Sequence, residues 1–153
     1  STRLLKYIIR AVIIKGEIVS QDEREKDLRR ILNFGHTFGH ALEAGTGFRY
    51  YLHGEAVACG MAMAARLAVL LGILEPPFGQ RIIALLKRLH VPPPPGGLNL
   101  NDVTEALFYD KKKEGDGLVF ILPTALGQTT AFKAPPAPLI ERVIEEYLDG
   151  GLL

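Results

Sequence analysis

The amino-acid sequence predicts a mainly α-helical domain that carries one small β ribbon. Apolar residues recur at helical spacing over much of the chain, beginning with residues 2–18. Residues 55–71 are apolar nearly all round, which is typical of a helix at the centre of a bundle. Only residues 118–122 and 129–132 have the composition of short strands. At 153 residues, the chain is long enough for one such domain with a real core.

After the first predicted helix comes a charged segment, residues 21–30. Ser20 or Asp22 is suited to cap a new helix there, because short polar side chains accept hydrogen bonds from the first backbone N–H groups. The next helix is predicted to begin near Phe34. It is expected to end at the turn of residues 45–47, which contains two glycines.

An aromatic-rich loop, residues 48–52, leads to the central helix. Gly72 and the prolines at 76–77 end that helix, because proline cannot continue the hydrogen-bond ladder. The remaining predicted elements are a helix over residues 78–89, a rigid proline-rich linker over 92–97, a short helix over 101–109, the two strands, and a closing helix over 138–148.

The composition excludes several classes of protein. A formal net charge of +1 gives no global attraction to nucleic acid or membranes, so any charged ligand must be recognised by a local cluster. The longest apolar run, residues 56–71, is shorter than the roughly 20 residues of a membrane span. The single cysteine, Cys59, excludes an internal disulfide framework and indicates the reducing cytoplasm. We expect Cys59 to be a buried small residue.

Three of the four histidines lie in one short stretch: His36, His40 and His53, interspersed with Glu43 and Glu55. Histidine is the commonest metal ligand, and its unperturbed pKa lies near neutrality. Packing alone gives no reason to gather these side chains. We therefore expect the chemical centre of the molecule here.

Within this stretch, His36 and His40 are four residues apart, so on a helix they share a face. Metal hydrolases use this spacing for zinc, but they place a glutamate base directly after the first histidine. Here that position is Thr37, so peptidase chemistry is not expected. His53 is a further candidate ligand, since a catalytic zinc takes three protein ligands. Alternatively, the histidines only satisfy buried carbonyls or cap helices.

Basic and polar residues outside the stretch offer an anion-binding site. Arg29 and Asn33 are one α-helical turn apart and are expected to face the same pocket as His36. An arginine fork with Lys15 would hold a phosphate or carboxylate, and the alternative is a solvated helix face. The lysine run 111–113 has the same two interpretations, a solubilising surface or an anion-binding ammonium group.

Taken together, these residues resemble the 3-dehydroquinate synthase family, which acts in the shikimate pathway of aromatic amino acid and chorismate biosynthesis. The most specific match is the histidine string with the His-Gly-Glu that follows it. Asp27 departs from the family, which usually has glycine there, but no functional group is lost. In family order, the matching segments are residues 15–19, 22–25, 28–29, 32–43, 52–58, 110–112 and 122–127.

The resemblance implies an enzyme with two parts. An N-terminal α/β domain binds NAD, and a C-terminal, mostly helical domain carries much of the metal and substrate site. Residues 1–153 resemble the second domain only, with the NAD-binding half absent from this chain. The residues agree with this, because no Gly-x-Gly-x-x-Gly fingerprint follows a strand. The full enzyme is expected to be a cytoplasmic homodimer.

The resemblance also implies roles for individual residues. His36 and His53 resemble two ligands of a zinc or cobalt ion, and the third ligand, a glutamate, belongs to the N-terminal half. His40 resembles an acid/base group that contacts substrate, and Glu25 resembles a proton acceptor. The residues that resemble substrate binders are Lys15, Arg29, Asn33, His40, Lys111 and Lys112, with Lys111 favoured over Lys112.

Enzymes of this family are carbon–oxygen lyases that convert a phosphorylated sugar acid, 3-deoxy-D-arabino-heptulosonate 7-phosphate, into 3-dehydroquinate and phosphate. NAD oxidises one ring hydroxyl transiently and is regenerated, so there is no net redox change. Two alternatives stay open. One is a sister sugar-phosphate cyclase that makes an inosose or a valiolone. The other is a non-catalytic helical module, when the chain is isolated.

Overall fold

A computed structural model of the chain describes residues 2–22, 28–114 and 118–153. They fall into two compact units, Ser1–Asn33 and Phe34–Leu153, and each is described by itself. The predicted fold class, mainly helical with one β ribbon, is confirmed. The elements in chain order are α1 (Thr2–Gln21), a 3₁₀ helix (Leu28–Asn33), α2 (His36–Gly45), α3 (His53–Leu70), α4 (Pro76–Lys87), α5 (Leu100–Glu114), β1 (Val119–Ala125), β2 (Gln128–Lys133) and α6 (Ala137–Leu148).

The first unit consists of α1 and the 3₁₀ helix. Ser20 caps no new helix, because it lies inside α1 and its hydroxyl donates to the Glu17 carbonyl at 2.9 Å. Asp22 follows α1, and its carboxylate accepts a hydrogen bond from the backbone N–H of Arg29 at 3.1 Å. A new helix thus follows Asp22, as the sequence predicted, and it is a 3₁₀ helix; residues 23–27 lie outside the described part.

The apolar side chains of α1 are not buried. From Leu4 to Ile14 they are between 41% and 71% exposed. The helical spacing therefore predicted the element correctly but not the burial of its apolar face. Helices in proteins draw most of their stability from such burial, so packing within the first unit adds little to the stability of α1.

The second unit is built around α3, which contacts α2, α4, α6 and β1. Most side chains along α3 are buried, as its all-round apolar pattern predicted, and Cys59 is fully buried as expected. Six of these buried residues are alanines, which allow neighbouring elements to approach closely. Within the described residues, no helix combines the length and hydropathy that a bilayer span requires.

The contact between α2 and α3 is made through glycine backbone. A Cβ atom on Gly60 would lie 2.0 Å from the carbonyl oxygen of Gly35 and 2.7 Å from the backbone nitrogen of Gly39. A Cβ atom on Gly39 would in turn lie 3.1 Å from the carbonyl oxygen of Ala56. No side chain fits between the two helices at this point. The glycines thus fix how closely α2 lies against α3.

The β ribbon packs against α2 and α3 through β1. β1 and β2 are antiparallel, and β1 is buried along its middle whereas β2 is largely exposed. The hydroxyl of Thr37 donates to the Val119 carbonyl at 3.0 Å, which ties the first turn of α2 to β1. Phe38 packs against Phe120 with ring centroids 4.8 Å apart. The ribbon therefore anchors the beginning of α2.

A chain of buried hydroxyl and thiol groups joins three parts of the second unit. The hydroxyls of Tyr51 and Tyr147 are 2.9 Å apart, and the Tyr147 hydroxyl donates to the Cys59 sulfur at 3.3 Å. Burial raises the pKa of Tyr51 to about 12 and also raises the pKa of Tyr147 and of Cys59. These groups stay protonated and link Tyr51, two residues before α3, to α3 itself and to α6.

An ion pair also connects α3 to α6. Arg66, on α3, donates to both carboxylate oxygens of Glu146, from Nε at 2.6 Å and from Nη2 at 2.9 Å. Arg142 on α6 donates to the same carboxylate at 3.1 Å. Hydrogen bonds from Arg66 are the main cause that lowers the pKa of Glu146 below its ordinary value. The only interruption of the apolar run in α3 is thus paired.

We expect Gly60→Ala to destabilise the chain by at least about 2 kcal/mol, because the added methyl group meets backbone and forces α2 and α3 apart. Gly54→Ala is the matched control in the same helix, since nothing lies within 4 Å of its Cβ position. This control should be neutral or stabilising by up to about 1 kcal/mol. Urea denaturation followed by circular dichroism measures both. Equal stability of the two variants would contradict the close α2–α3 contact.

Glu146→Ala should destabilise the chain by about 1–2 kcal/mol at neutral pH, because it leaves the partly buried Arg66 without its carboxylate. The pKa of Glu146 is lowered in the folded chain, so its contribution is complete above its ordinary pKa of 4.5 and is lost as the pH falls further. Denaturation should therefore show a larger difference between the variant and the wild type at pH 7 than at pH 3. The exposed Glu145→Ala is the control and should change stability little at either pH.

Candidate metal and substrate site

The site begins where α2 begins. Gly35 precedes the helix with a φ of 84°, in the left-handed region that favours glycine, and a Cβ there would lie 2.6 Å from Met61. The Gly35 carbonyl accepts the backbone N–H of Gly39 at 2.9 Å and so starts the helical ladder. His36 is therefore the first residue of α2, and the rings of His36 and His40 have their centroids 5.7 Å apart.

His53 enters the site from the next helix. It is the first residue of α3, which starts two residues earlier than predicted. The reason is that Glu55 reaches back to accept the backbone N–H of Leu52 at 2.9 Å, half of a capping box. The ring centroid of His53 lies 5.4 Å from that of His36 and 5.5 Å from that of His40. The three predicted histidines thus form one cluster.

One buried carboxylate, that of Glu43, contacts two of the three histidines. Glu43, on α2, is the one buried charged side chain in the part of the chain that the structure describes. Its Oε2 atom lies 3.0 Å from Nδ1 of His40, and its Oε1 atom lies 3.2 Å from Nδ1 of His53. The two imidazoles remain 50% and 56% exposed. One carboxylate is therefore within hydrogen-bond distance of two half-exposed imidazole rings.

His36 is the inner member of the cluster. Burial lowers its pKa, and a backbone hydrogen bond with Phe34 offsets part of that shift. Its Nδ1 atom is itself buried and has no partner of good hydrogen-bond geometry among the described residues. The nearby His40 and His53 lower the pKa further, whereas Glu43 raises it. His36 is thus held as a neutral imidazole with an unsatisfied nitrogen.

These side chains fit a divalent metal ion of the zinc type. Neutral imidazoles and a carboxylate are donors that zinc accepts, and an unsatisfied buried nitrogen is a position that a ligand would complete. His40, Glu43 and His53 offer ligand atoms that all lie within 4.8 Å of one another. His36 adjoins the same group through its ring contacts. More than one subset of the four can therefore contribute ligands.

The other predicted site residues belong to different parts of the chain. Lys15 is exposed on α1, and Arg29 and Asn33 lie in the 3₁₀ helix, all within the first unit. Glu25 lies outside the described residues, as does the departure at Asp27. Lys111 and Lys112 are in the last turns of α5, but their side chains lie outside the described part. Of the predicted set, the structure brings together His36, His40 and His53.

The helix that carries Arg29 and Asn33 differs from the one that their spacing was taken to indicate. Arg29 and Asn33 were expected to share a face because they are four residues apart, which assumes an α-helix. They lie in a 3₁₀ helix, where three residues make a turn. Four residues of a 3₁₀ helix make about one and a third turns. The spacing therefore does not place the two side chains on the same face of the helix.

No role was predicted for Glu43 from the sequence. A signal was present, because Glu43 follows His40 by three residues and so shares its helix face. It is also a charged residue among Ala41, Leu42 and Ala44, where burial without a partner would be costly. Its contact with His53, ten residues away, depends on the α2–α3 packing and could not be read from spacing.

Comparison with known proteins places these features in a family. Residues 1–113 match the family model described as 3-dehydroquinate synthase C-terminal. A 3-dehydroquinate synthase of Thermoanaerobacter sp. (strain X514) is 46% identical over 125 residues, which are 81% of this chain and 35% of that protein. One of Dichelobacter nodosus (strain VCS1703A) is 50% identical over 115 residues, 74% of this chain and 31% of that protein. The chain thus spans about a third of these relatives.

Two solved structures have a similar fold over nearly the whole chain. A 2-deoxy-scyllo-inosose synthase, complexed with carbaglucose-6-phosphate, NAD⁺ and Co²⁺, matches with a TM-score of 0.79 and 27% identity. The match covers 96% of this chain and 42% of that one. The 2-epi-5-epi-valiolone synthase of Streptomyces hygroscopicus, with NAD⁺ and Zn²⁺ bound, matches with a TM-score of 0.79 and 26% identity, over 95% and 40% of the two chains. The chain belongs to the 3-dehydroquinate synthase C-terminal family.

Proposed function

We propose that this chain supplies the metal- and substrate-binding part of a 3-dehydroquinate synthase. The enzyme converts 3-deoxy-D-arabino-heptulosonate 7-phosphate to 3-dehydroquinate and releases phosphate. The observation that carries the proposal is the convergence of His36, His40 and His53, two of them on a buried carboxylate. Relatives of that name at 46% and 50% identity support the same reaction.

His36 and His53 are the proposed metal ligands of this chain. The neutral state and unsatisfied nitrogen of His36 support this role, as does the exposed ring of His53, whose Nδ1 faces Glu43. A glutamate of an N-terminal NAD-binding domain is proposed as the third ligand. A zinc or cobalt ion bound there would act as a Lewis acid toward a substrate oxygen.

Cationic and amide side chains are proposed to bind the substrate. The phosphate and carboxylate of the sugar acid call for arginine and lysine partners, which hold such anions by charge-assisted hydrogen bonds. The residues proposed for this are Lys15, Arg29, Asn33, Lys111 and Lys112. Binding of the reacting molecule by several such contacts would also place it in the geometry that its elimination and ring closure need.

Proton transfer is proposed for His40 and Glu25. His40 is half exposed and held through Nδ1, so its other ring nitrogen is available to a substrate. An imidazole is suited to give and take protons near neutral pH. NAD would be held by the N-terminal domain, and the whole enzyme is proposed to be a cytoplasmic homodimer.

A sister sugar-phosphate cyclase is the second candidate. It is favoured by the solved inosose and valiolone synthases, which share this fold with a TM-score of 0.79. Their identity to this chain is 26–27%, against 46–50% for the two named 3-dehydroquinate synthases. Substrate choice between such related enzymes is therefore proposed to follow the closer relatives.

Turnover tests the choice of substrate. The chain is joined to the part of the Thermoanaerobacter relative that lies outside the match, and this joined protein is supplied with NAD, zinc and 3-deoxy-D-arabino-heptulosonate 7-phosphate. Release of phosphate together with 3-dehydroquinate is expected, and the sugar phosphates of inosose and valiolone synthases should give no cyclitol. The 153-residue chain alone is the control and should neither turn over nor bind NAD.

Formation of another cyclitol without 3-dehydroquinate would contradict the proposal. Tight NAD binding by the chain alone would contradict the assignment of NAD to an N-terminal domain. A joined protein that is folded and binds NAD but has no turnover with any of these substrates would favour the non-catalytic helical module.

Substitution of single histidines tests the ligand assignment. In the joined protein, His36→Ala should lose bound metal and turnover together. His40→Ala should keep its metal and lose turnover by roughly 10²–10⁴-fold, because a general acid/base contributes about that much. Metal content after dialysis, measured by elemental analysis, is compared with the rate. Equal metal loss in both variants would overturn the assignment of His40 to the substrate.

A further inference from the structure

Glu43 has no role of its own in the proposed function, and its contacts indicate one. Glu43 is 8% exposed and lies between a proposed acid/base residue, His40, and a proposed metal ligand, His53. Oε2 is within 3.0 Å of the first Nδ1 atom and 3.3 Å of the second, and Oε1 is within 3.2 Å of the second. Both contacts are of hydrogen-bond length.

The chemistry of a carboxylate decides where the protons of these contacts lie. A carboxylate can only accept hydrogen bonds, so each neutral imidazole must donate from Nδ1–H. In a neutral imidazole the other nitrogen, Nε2, then carries the free lone pair. The Nδ1 edge of each ring faces the buried carboxylate, so the Nε2 edge lies in the exposed half of the ring.

We propose that Glu43 is a positioning residue that holds His40 and His53 in the Nδ1–H tautomer, so that Nε2 of His53 is free for the metal and Nε2 of His40 is free for the substrate. The metal part of this statement rests on the proposed function. The tautomer part rests only on the geometry of the three side chains. One carboxylate thereby orients both the metal-binding ring of His53 and the substrate-contacting ring of His40.

Metal-binding histidines commonly donate their second ring nitrogen to a carboxylate, which fixes ring orientation and raises ligand basicity. Glu43 does this for His53, and it has the further feature that a second histidine shares the same acceptor. A shared acceptor also fixes the distance between the two rings, whose centroids are 5.5 Å apart. Metal position and proton-transfer position are then set by one side chain.

The competing role for Glu43 is that of a metal ligand, together with His40 and His53, whose ligand atoms lie within 4.8 Å. The two roles differ in what His40 does. As a co-ligand, His40 would be needed for metal binding, whereas a positioning role for Glu43 leaves the metal with His36 and His53. The two roles also differ in whether the histidine tautomers depend on Glu43 without metal.

The first measurement uses the metal-free 153-residue chain at pH 8, above the ordinary pKa of an imidazole. Proton–nitrogen correlation spectra report which ring nitrogen is protonated. Both His40 and His53 should be in the Nδ1–H form. In Glu43→Gln, one side-chain oxygen remains and the new amide donates, so at least one of the two histidines should change to Nε2–H. In Glu43→Ala, neither should keep the Nδ1–H form.

Glu55→Gln is the matched control, because it removes the other acidic side chain of the stretch, and its recorded contact is the Leu52 backbone N–H. Both tautomers should be unchanged in this variant. If Glu43→Ala does not fold, Glu43→Asp withdraws the carboxylate by one methylene and should weaken the Nδ1–H preference in part. Wild-type tautomers in Glu43→Gln would overturn the proposal.

The second measurement uses cobalt binding by the joined protein. Glu43→Gln should lower the affinity for cobalt by roughly 10–100-fold, the usual cost of losing such a carboxylate partner. His40→Ala should bind cobalt nearly as well as the wild type. Loss of cobalt binding in both variants would make Glu43 a ligand and overturn its positioning role. Unchanged cobalt affinity in His36→Ala would instead refute the proposed ligands, and the tautomers would still decide the role of Glu43.

Discussion

The backbone contact between α2 and α3 is the constraint on which the histidine cluster depends. Because Gly60 has no side chain, its Cα approaches the Gly35 carbonyl more closely than any other residue would allow. His36 follows Gly35 directly, and His53 lies two turns before Gly60 on α3. The separation of the rings is thus set by helix geometry and not by the loop between the helices. Side chains positioned by rigid elements keep their geometry better than side chains on loops.

Within that frame, electrostatics gives similar side chains different properties. His36 is driven to the neutral form by burial, whereas His40 and His53 keep half of their surface in water and face a buried carboxylate. The cost of burying Glu43 is offset by the two imidazoles, since a buried charge needs partners. The same contacts that satisfy the carboxylate orient the rings. Stability and site geometry therefore have a common origin here.

The sequence predicted the helices, the ribbon and the three histidines, because apolar spacing and residue type are local properties. It missed features that depend on side chains reaching along the chain. Glu55 extends α3 to His53, and the helix that follows Asp22 is a 3₁₀ helix whose Arg29 N–H donates to the Asp22 carboxylate. It also gave no role to Glu43, whose second partner is brought close only by tertiary packing. Roles taken from family resemblance could not have come from spacing, which paired the histidines four residues apart.

The hydrogen-bonded tyrosines have a consequence for spectroscopy. The chain has no tryptophan and five tyrosines, so tyrosine dominates its near-ultraviolet signal. Tyr7, Tyr50 and Tyr109 are exposed, whereas Tyr51 and Tyr147 are buried beside Cys59. Burial raises the pKa of Tyr51 to about 12 and also raises the pKa of Tyr147, so these two phenols ionise late in an alkaline titration. The later part of the phenolate absorbance therefore reports the opening of the contact between α3 and α6, without any added label.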